Sequence, residues 1–413
     1  MELTYRIPEP DEMEAFFRPV LRGFGHPAPT PENLEDERLI WEPARSIGAL
    51  DGDDWVGGTG AFTMDLTLPG GAVIPAAGVT MVGVAATHRR RGILTELMRR
   101  QHDDIAAGPE PVAILTASES VIYGRFGYGL ATRGVRQRVA VAHARLRPDA
   151  PVAGGRLRVM TIDEARAALP AVYERIRTGR PGWVRRSEAW WETHVFLDRP
   201  DHRDGATALY VLGHHDDTGP LDGWAAYRVA IEWRDRLPAS RVVVEDIAAV
   251  DDAVQLALWQ GLVDVDLSVE VDALHVAVDD PLPWAVADPR RVRTSELSDW
   301  LWLRILDVPA ALGPRRWGAA GRVVLDVLDP FRPASGGRFA VEADATGAGT
   351  VTATDAPADL VLGAEELGAM ALGGVAPSLL ARAGRIAEER PGALAVADAL
   401  FWAERAPHCA TMF

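Results

Sequence analysis

The fold of the first part of this chain is decided by one stretch of sequence, Val82-Gly-Val-Ala-Ala-Thr-His-Arg-Arg-Arg-Gly-Ile-Leu94. Its apolar start predicts a strand, its arginines and glycine predict a turn, and the apolar residues that follow predict a helix. The first N–H groups of a helix have no partner within the helix, and the helix dipole adds positive potential there. The stretch therefore predicts a site for a phosphate-bearing ligand.

The residues on either side of this stretch alternate between strand and helix patterns. Apolar and alternating runs predict strands at Ser46–Leu50, Gly57–Leu68, Val73–Val84, Val112–Thr116 and Val135–Val141. Helical spacing predicts helices over residues 10–24 and Ile93–Ala107, and a further helix is expected to begin at Ser118. Strands mixed with helices in this way predict an α/β or α+β sheet.

A second series of strands and helices follows a linker rich in proline, glycine and alanine, residues 147–155. In it, a strand at Arg241–Ile247 leads to a helix at about Asp252–Val263, as in the first series. This second strand lacks the Arg-Arg-Arg-Gly turn and runs into acidic residues, which would repel a phosphate. We therefore expect a diverged copy of the first fold with a structural role.

The pattern changes again after Pro281-Leu-Pro-Trp284. Strands are expected at Gly321–Val327 and Arg338–Glu342, and helices at Leu367–Leu372, Val375–Ala383 and Gly392–Leu400. A β-rich start with a helical finish predicts a third, α+β domain. The expected domains are residues 1–147, 156–288 and 289–413.

Composition narrows the class of protein. The chain has 413 residues, a net charge of −16 and 48% hydrophobic residues, which favours a globular protein with cationic rather than nucleic-acid partners. No apolar run approaches the roughly 20 residues of a membrane span, and the first residues lack a signal-peptide pattern. We therefore expect a cytoplasmic protein. A single cysteine, Cys409, and ten histidines without paired spacing predict no metal site.

A second motif, Ala117-Ser-Glu-Ser-Val-Ile-Tyr-Gly-Arg-Phe-Gly-Tyr-Gly129, contains two tyrosines. A phenol is protonated at neutral pH and is chemically suited to act as a general acid toward a departing thiolate. Either Tyr123 or Tyr128 is suited to this role, and either could instead be a packed aromatic residue. The sequence does not separate the two.

The two motifs together resemble those of a known family. Arg89 and Gly92 match the Gln/Arg-x-x-Gly-x-Gly/Ala motif of the GCN5-related N-acetyltransferases, whereas Leu94 departs from its last position. The pair of motifs resembles the enhanced intracellular survival (Eis) acetyltransferases, which also have a hydrophobic residue there. The resemblance implies an α+β fold with tandem acetyltransferase domains. The first would bind acetyl-CoA, the second would be degenerate, and the third would be similar to sterol carrier protein.

The same resemblance implies the site residues. Acetyl-CoA, the expected cosubstrate, would contact Val82, Gly83, Val84, Arg90, Arg91, Gly92, Ile93, Leu94, Thr95, Ser118 and Glu119. Tyr123 would be the general acid that protonates the CoA thiolate, and the terminal carboxylate of Phe413 would be the general base. His88 is expected to belong to the turn rather than to catalysis. No metal is expected.

The resemblance implies transfer of an acetyl group to a primary amine, by a homohexamer. The amine would belong to a small polycationic, aminoglycoside-like molecule or to a lysine side chain. Candidate substrate-pocket residues are Phe24, His26, Trp41 and Phe62, with Glu35, Asp36 and Glu37 as acidic residues. Two alternatives remain open: a lipid-binding protein with a vestigial acetyltransferase domain, and an acyltransferase that prefers longer acyl chains.

Overall fold

The computed structural model describes residues 3–413. The first elements in chain order are β1 (Leu3–Arg6), α1 (Met13–Gly23), α2 (Pro31–Arg38), β2 (Ile47–Asp51), β3 (Asp54–Thr67), β4 (Val73–Val84), α3 (Ile93–Ala106), β5 (Val112–Thr116) and β6 (Gly129–Leu130). The prediction of a helix that begins at Ser118 is wrong. The chain there makes two 3₁₀ turns, Ser120–Ile122 and Gly124–Phe126, and the second ends at Gly127 with φ +81°. Closely spaced glycines weaken a helix, which explains the difference.

A series of strands and helices forms the middle of the chain, and it begins and ends with a strand. Its elements are β7 (Arg133–Ala140), β8 (Arg156–Met160), α4 (Ile162–Arg177), α5 (Glu188–Trp191), β9 (Tyr210–His215), β10 (Leu221–Ala230), β11 (Trp233–Arg234), β12 (Leu237–Pro238), β13 (Ser240–Ala249), α6 (Asp252–Val263), β14 (Ser268–Ala277), α7 (Leu282–Ala285) and β15 (Val292–Asp299).

The last part of the chain is β-rich at first and helical at its end, as expected. Its elements are β16 (Leu301–Ile305), α8 (Val308–Leu312), β17 (Gly321–Leu328), β18 (Gly337–Ala343), β19 (Gly349–Ala353), β20 (Leu360–Gly363), α9 (Ala364–Met370), α10 (Pro377–Arg382), β21 (Ile386–Glu388) and α11 (Ala393–Phe401).

These elements form two compact units, each built from segments that are distant in sequence. The first unit joins the chain up to Thr132 with Trp300–Glu404 and Thr411–Phe413, and the second joins Arg133–Asp299 with Arg405–Ala410. The boundaries of the three expected domains therefore stay a prediction. Mixed sheets covered by helices confirm the α+β class. Within residues 3–413, no helix is both long enough and apolar enough to cross a membrane.

The first unit contains two sheets. The larger has the order β1-β2-β3-β4-β5-β16-β6, so β16 enters between two strands that precede it by more than 170 residues. Helix α3 packs Met98 and Ile105 against Ala77, Ala113 and Leu115 of this sheet. Small residues in β4 and β5 let α3 lie close to this larger sheet. The smaller sheet has the order β19-β18-β17-β20-β21.

The second unit contains one large sheet, with the order β15-β7-β14-β13-β10-β9-β8. Its core clusters include the fully buried Trp224 and Trp259. Strand β13 leads directly to helix α6, and β14 follows that helix in parallel with β13. This strand–helix–strand order repeats that of β4, α3 and β5 in the first unit.

Candidate active site

The two central parallel strands of the first unit separate at their ends. Strands β4 and β5 pair only from Ala76 with Val112 to Gly78 with Ile114. Beyond Gly78, β4 continues to Val84 and pairs with β3 alone. We call the gap between residues 79–84 and residues 115–119 the first fork. Its β4 edge leaves main-chain groups free to pair with an extended ligand.

The predicted strand residues Val82, Gly83 and Val84 lie along this edge and are half-buried. A bulge between Gly58 and Gly60 of β3 coincides with Met81, whose φ is +55°. A Cβ at Gly83 would lie 3.1 Å from the Cα of Val20 on α1. The glycine therefore lets the helix approach the strand that lines the fork.

The turn after β4 leaves the start of α3 open. Gly92 is the N-cap residue with φ +81°, and no side chain caps the helix. A Cβ at Gly92 would meet nothing within 4 Å, so within the chain its left-handed conformation, and not crowding, requires glycine. The N–H groups at Ile93, Leu94 and Thr95 are the first of the helix and have no intrahelical acceptor. Such a turn suits an anion.

The arginines of the turn are exposed, and His88 holds the turn in place. Arg90 is exposed with φ +61°, and Arg91 donates from Nη2 to the Thr87 carbonyl at 3.1 Å. His88 Nε2 lies 3.1 Å from Asp51 Oδ2, and its Nδ1 lies 2.8 Å from Thr87 Oγ1. The Nε2 contact thus ties the turn to β2, and the Nδ1 contact lies within the turn.

The other side of the fork is the chain that follows β5. Ser118 and Glu119 are exposed there, next to the half-buried Thr116. The structure therefore places predicted residues 82–84 and 118–119 on the two sides of one gap, and predicted residues 90–95 in the turn and helix start that follow β4. Which of them bind a ligand stays a prediction.

The structure distinguishes the two candidate tyrosines. Tyr128 is 0% exposed, and its hydroxyl lies 3.1 Å from His102 Nε2. Burial, then the charges of Arg304 and Arg332, lowers the pKa of His102 to about 3, so this histidine is neutral. Tyr128 is therefore occupied in a buried hydrogen bond.

Tyr123 is 5% exposed, and its ring packs edge-on against Tyr128 at 5.9 Å between centroids. Burial, then the charge of Glu119, raises the pKa of Tyr123 to about 12. The hydroxyl is therefore protonated at neutral pH. Of the two tyrosines, Tyr123 is the one that is not completely buried.

Phe413 lies where the two strands separate. Its main-chain oxygen accepts a hydrogen bond from Thr116 Oγ1 at 2.9 Å, although the two residues are 297 positions apart. A Cβ at Gly78, the last β4 residue paired with β5, would lie 3.2 Å from Cε2 of the Phe413 ring. Thr116 and Gly78 were not predicted as site residues. The run Ala76-Ala-Gly78 was the available signal, because small residues in a strand mark a close approach.

The structure separates the candidate substrate residues. Phe62 pairs with Gly78 across β3 and β4, so it lies beside the position of Phe413. Trp41 packs on Phe16 and donates from Nε1 to Ser46 Oγ at 2.9 Å, which is a core role. The remaining candidates, Phe24, His26, Glu35 and Glu37, are exposed and Asp36 is half-buried. Within residues 3–413, no group of three or more His, Cys, Asp or Glu could hold a metal ion.

Comparison with known families agrees with this geometry. Residues 4–131 and 182–305 each match an acetyltransferase (GNAT) domain, and residues 308–410 match a sterol carrier protein domain. A sheet with separating parallel strands, followed by an uncapped turn and helix, together with these matches defines a GCN5-related N-acetyltransferase. The implied tandem acetyltransferase folds and sterol-carrier-like domain are confirmed.

Relatives of nearly the same length narrow the class to one family. The chain is 42% identical to an uncharacterised N-acetyltransferase of Streptomyces coelicolor, over 98% of both chains. It is 37% identical to N-acetyltransferase Eis of Mycobacterium tuberculosis, over 86% of this chain and 85% of that protein. The crystal structure of Eis1 from Mycobacterium abscessus superposes over 100% of both chains with a TM-score of 0.86 at 34% identity. The chain belongs to the Eis family of N-acetyltransferases.

Proposed function

We propose that this N-acetyltransferase transfers the acetyl group of acetyl-CoA to a primary amine of a small polycationic molecule or of a lysine side chain. The observation that carries the proposal is the first fork, which brings an open strand edge, an uncapped helix start, Tyr123 and Phe413 into one unit. The GNAT family to which the chain belongs uses acetyl-CoA.

The residues present fit acetyl-CoA. The main chain of Val82, Gly83 and Val84 would pair with the amides of the pantetheine arm. The diphosphate would meet the N–H groups from Gly92 to Thr95, and Arg90 and Arg91 would add charge-assisted hydrogen bonds. Ser118 and Glu119 would line the opposite side of the fork. Apart from Ile93, no predicted cofactor residue is buried. The side chain of Ile93 packs in the core and anchors α3, while its main-chain N–H would meet the diphosphate.

The chemistry is direct attack of the amine nitrogen on the thioester carbonyl. A carbon–nitrogen bond forms, the carbon–sulfur bond breaks, and the electron pair leaves with the CoA sulfur. Tyr123 would donate its phenolic proton to that sulfur. Its raised pKa keeps the phenol protonated at neutral pH, and burial would likewise raise the proton affinity of a thiolate formed beside it.

Phe413 would act through its carboxylate, which accepts the proton lost by the amine. The hydrogen bond from Thr116 Oγ1 holds one main-chain oxygen of Phe413 beside the fork. A negative group there also attracts a cationic substrate, in keeping with the net charge of −16. On the family resemblance alone, we also propose a homohexamer, which a light-scattering mass measurement tests.

The proposal is tested with an acetylation assay on aminoglycosides, polyamines and lysine peptides, with acetyl-CoA as donor. Turnover with at least one amine class is expected. A panel of longer acyl-CoA donors tests the alternative of a longer-chain acyltransferase. The absence of calorimetric binding at micromolar CoA would favour the lipid-binding alternative, which the sterol carrier protein match supports.

The role of Phe413 is tested by appending three or four residues after it. This change moves the carboxylate away from Thr116 while leaving every side chain in place. Turnover is expected to fall by about 100-fold or more, in the range of general-base contributions, with CoA affinity unchanged. Normal turnover in the extended protein would refute a base role for this carboxylate.

A further inference from the structure

The second unit repeats the fork. Strands β13 and β14 pair in parallel from Ser240 with Ser268 to Val244 with Ala273, and not beyond. Strand β13 continues to Ala249 and β14 to Ala277. We call the gap between residues 245–249 and residues 274–277 the second fork. It lies at the same point of the strand–helix–strand order as the first fork.

The second fork is lined by the chain's own tail. We call residues 405–410 the tail segment, which belongs to this unit although it is far along the sequence from the sheet. His275 on β14 donates from Nε2 to the Cys409 carbonyl at 2.9 Å. The ring of His408 stacks on that of His275, with centroids 4.6 Å apart and planes 24° from parallel.

Main-chain groups of the tail segment are bonded at both of its ends. Ala406 donates its N–H to Asp279 Oδ2 at 3.0 Å and accepts from Arg180 Nη1 at 2.8 Å. At the other end, Arg186 donates from Nη2 to the Ala410 carbonyl at 2.9 Å. Between them, His408 donates its N–H to the Pro181 carbonyl at 2.9 Å. Specific main-chain recognition of this kind is typical of a bound peptide.

The groups that hold the tail segment are themselves fixed. Arg186 is buried, donates to Asp246 Oδ2 on β13 at 2.7 Å, and lies over the ring of Tyr173. Arg180 donates to Asp279 Oδ1 at 2.6 Å. A small cavity remains beside the tail segment, lined by residues of both strands together with Arg405 and His408. The residues that hold the tail segment therefore also bond to partners outside it, which limits the ordering needed to bind it.

The helix start at the second fork is closed to an anion. The side chain of Asp251 caps α6 by accepting from the Val254 N–H at 2.9 Å. Asp252, in the first helical turn, pairs with Arg405 of the tail at 2.6 Å. Two carboxylates therefore occupy the place where the first fork presents free amides and arginines.

We infer that the second fork is a peptide-binding site whose ligand is the chain's own tail segment, and that it serves to position Phe413. The second part of this inference rests on the proposed function of Phe413. His275, Arg180 and Asp279 are then positioning residues, acting on the first unit's site only through the tail. The fork that would hold a CoA arm is used to hold a peptide.

The number of residues between Phe413 and its nearest anchor point sets how far release of the tail segment should lower turnover. Phe413 lies three residues beyond Ala410 and nine beyond Glu404, the last residue of the first unit before the tail segment. The effective concentration of a tethered group falls as about the −3/2 power of tether length, so release of the anchor lowers it about 5-fold. Loss of orientation adds to this, and we expect turnover to fall by about 5- to 50-fold.

Cys409 gives a direct measurement of tail binding. It is the single cysteine of the chain and is 0% exposed within the tail segment. In the native full-length protein, its reaction with Ellman's reagent should be at least about 100-fold slower than in guanidinium, because the thiol reacts only when the tail opens. Ala406→Pro, which removes the N–H bonded to Asp279, and His408→Ala should each raise the native rate about 10-fold or more.

The control variant is Met412→Ala. Met412 is 65% exposed and lies outside the tail segment. It should change neither labelling nor turnover. In the two tail variants, kcat should fall by the stated 5- to 50-fold while the KM for acetyl-CoA stays within about 2-fold. Circular dichroism confirms that each variant is folded.

The outcomes separate the two proposals. Native labelling as fast as in guanidinium, or labelling unchanged by both tail variants, overturns the tail-binding site. Faster labelling with unchanged kcat supports the binding site but overturns the positioning of Phe413, whereas the proposed base is refuted only by normal turnover in the protein extended beyond Phe413. Calorimetry should find one CoA per chain, and two per chain would overturn the assignment of the second fork to the tail.

Discussion

The two forks share a backbone design and differ in what surrounds it. In each, a pair of parallel strands separates after a few residues, and the first strand leads to a helix. The first fork is followed by an uncapped glycine with φ +81° and exposed arginines. The second is followed by Asp251 and Asp252, and the chain's own tail segment lies against it. The fork itself therefore does not specify a cofactor.

The difference shows which features select the ligand. An open strand edge suits an extended ligand with amides, such as pantetheine. The tail segment at the second fork is held instead by side chains and by the Pro181 carbonyl. Selection comes from the turn, where backbone amides and arginines favour a diphosphate and carboxylates reject it. The following predictions change one fork at a time, beginning with the largest effect.

Tyr123→Phe removes the phenolic proton from the first fork and should lower kcat by about 10²- to 10⁴-fold, the usual contribution of a general acid. CoA affinity should change little, because the ring and its packing on Tyr128 remain. Stopped assays for kcat and calorimetry for CoA measure the two quantities. Turnover within about 3-fold of the parent would rule out the acid role.

Tyr128→Phe is the matched control, since it removes a hydroxyl five residues away that is bonded to His102. Loss of a buried hydrogen bond should cost about 1–2 kcal/mol of unfolding free energy, seen in urea denaturation. Its kcat should fall far less than that of Tyr123→Phe. A reversed order would assign the acid to Tyr128.

The first fork was largely predictable from sequence because its parts are local. Strand β4, the turn and helix α3 occupy consecutive residues, so apolar period and glycine placement indicate them. The choice of Tyr123 over Tyr128 came from the family resemblance and not from local pattern, since it depends on which ring the fold buries completely. The contact of Phe413 with Thr116 was inferred from family resemblance, because no local pattern links residues 297 positions apart.

The second fork was less predictable from the sequence than the first. Its strand and helix were predicted, and its acidic turn favours a role without phosphate. Its occupant was not predicted, because Ala406 and His408 become a ligand only through hydrogen bonds to residues more than 120 positions earlier. The insertion of β16 between β5 and β6 was missed for the same reason.

Replacing Arg90 and Arg91 together by glutamine removes two positive charges from the first turn. The Kd for CoA should rise about 10- to 100-fold, since each charge-assisted hydrogen bond contributes about 1.5–3 kcal/mol when buried and less at this exposed turn. The double variant Arg99→Gln, Arg100→Gln on the same helix is the control, because those arginines pair with Glu96. Equal losses in both proteins would point to a general charge effect and not to a diphosphate site.

Acid should weaken the binding of the tail segment to the second fork. Burial, opposed by the Cys409 carbonyl and the charge of Asp246, lowers the pKa of His275 to about 4. Burial also lowers the pKa of His408. A released tail exposes both rings, whose ordinary pKa is about 6.5, so the released state binds more protons between these values. Tail binding is then full above about pH 6.5 and weakens by up to about 1.4 kcal/mol per pH unit for each histidine as pH falls.

The measurement is native Cys409 labelling at pH 7 and pH 5, each divided by the rate in guanidinium at the same pH. This ratio should rise about 10-fold or more at pH 5. His275→Gln keeps a donor for the Cys409 carbonyl without titrating, so it should reduce the rise. A ratio independent of pH would show that these rings remain buried when the thiol reacts.

Asp251→Ala tests whether the carboxylate cap alone excludes CoA from the second fork. The change removes the side chain that accepts from Val254 N–H, and loss of such a cap costs about 1 kcal/mol of stability. Thermal unfolding should show a small decrease in Tm, and calorimetry should still find one CoA per chain, because the tail segment still lies against the second fork. A second binding event in this variant would mean that the turn excludes CoA without the tail. Combined with Ala406→Pro, the same substitution separates the two causes, since only the double variant removes both the cap and the anchor.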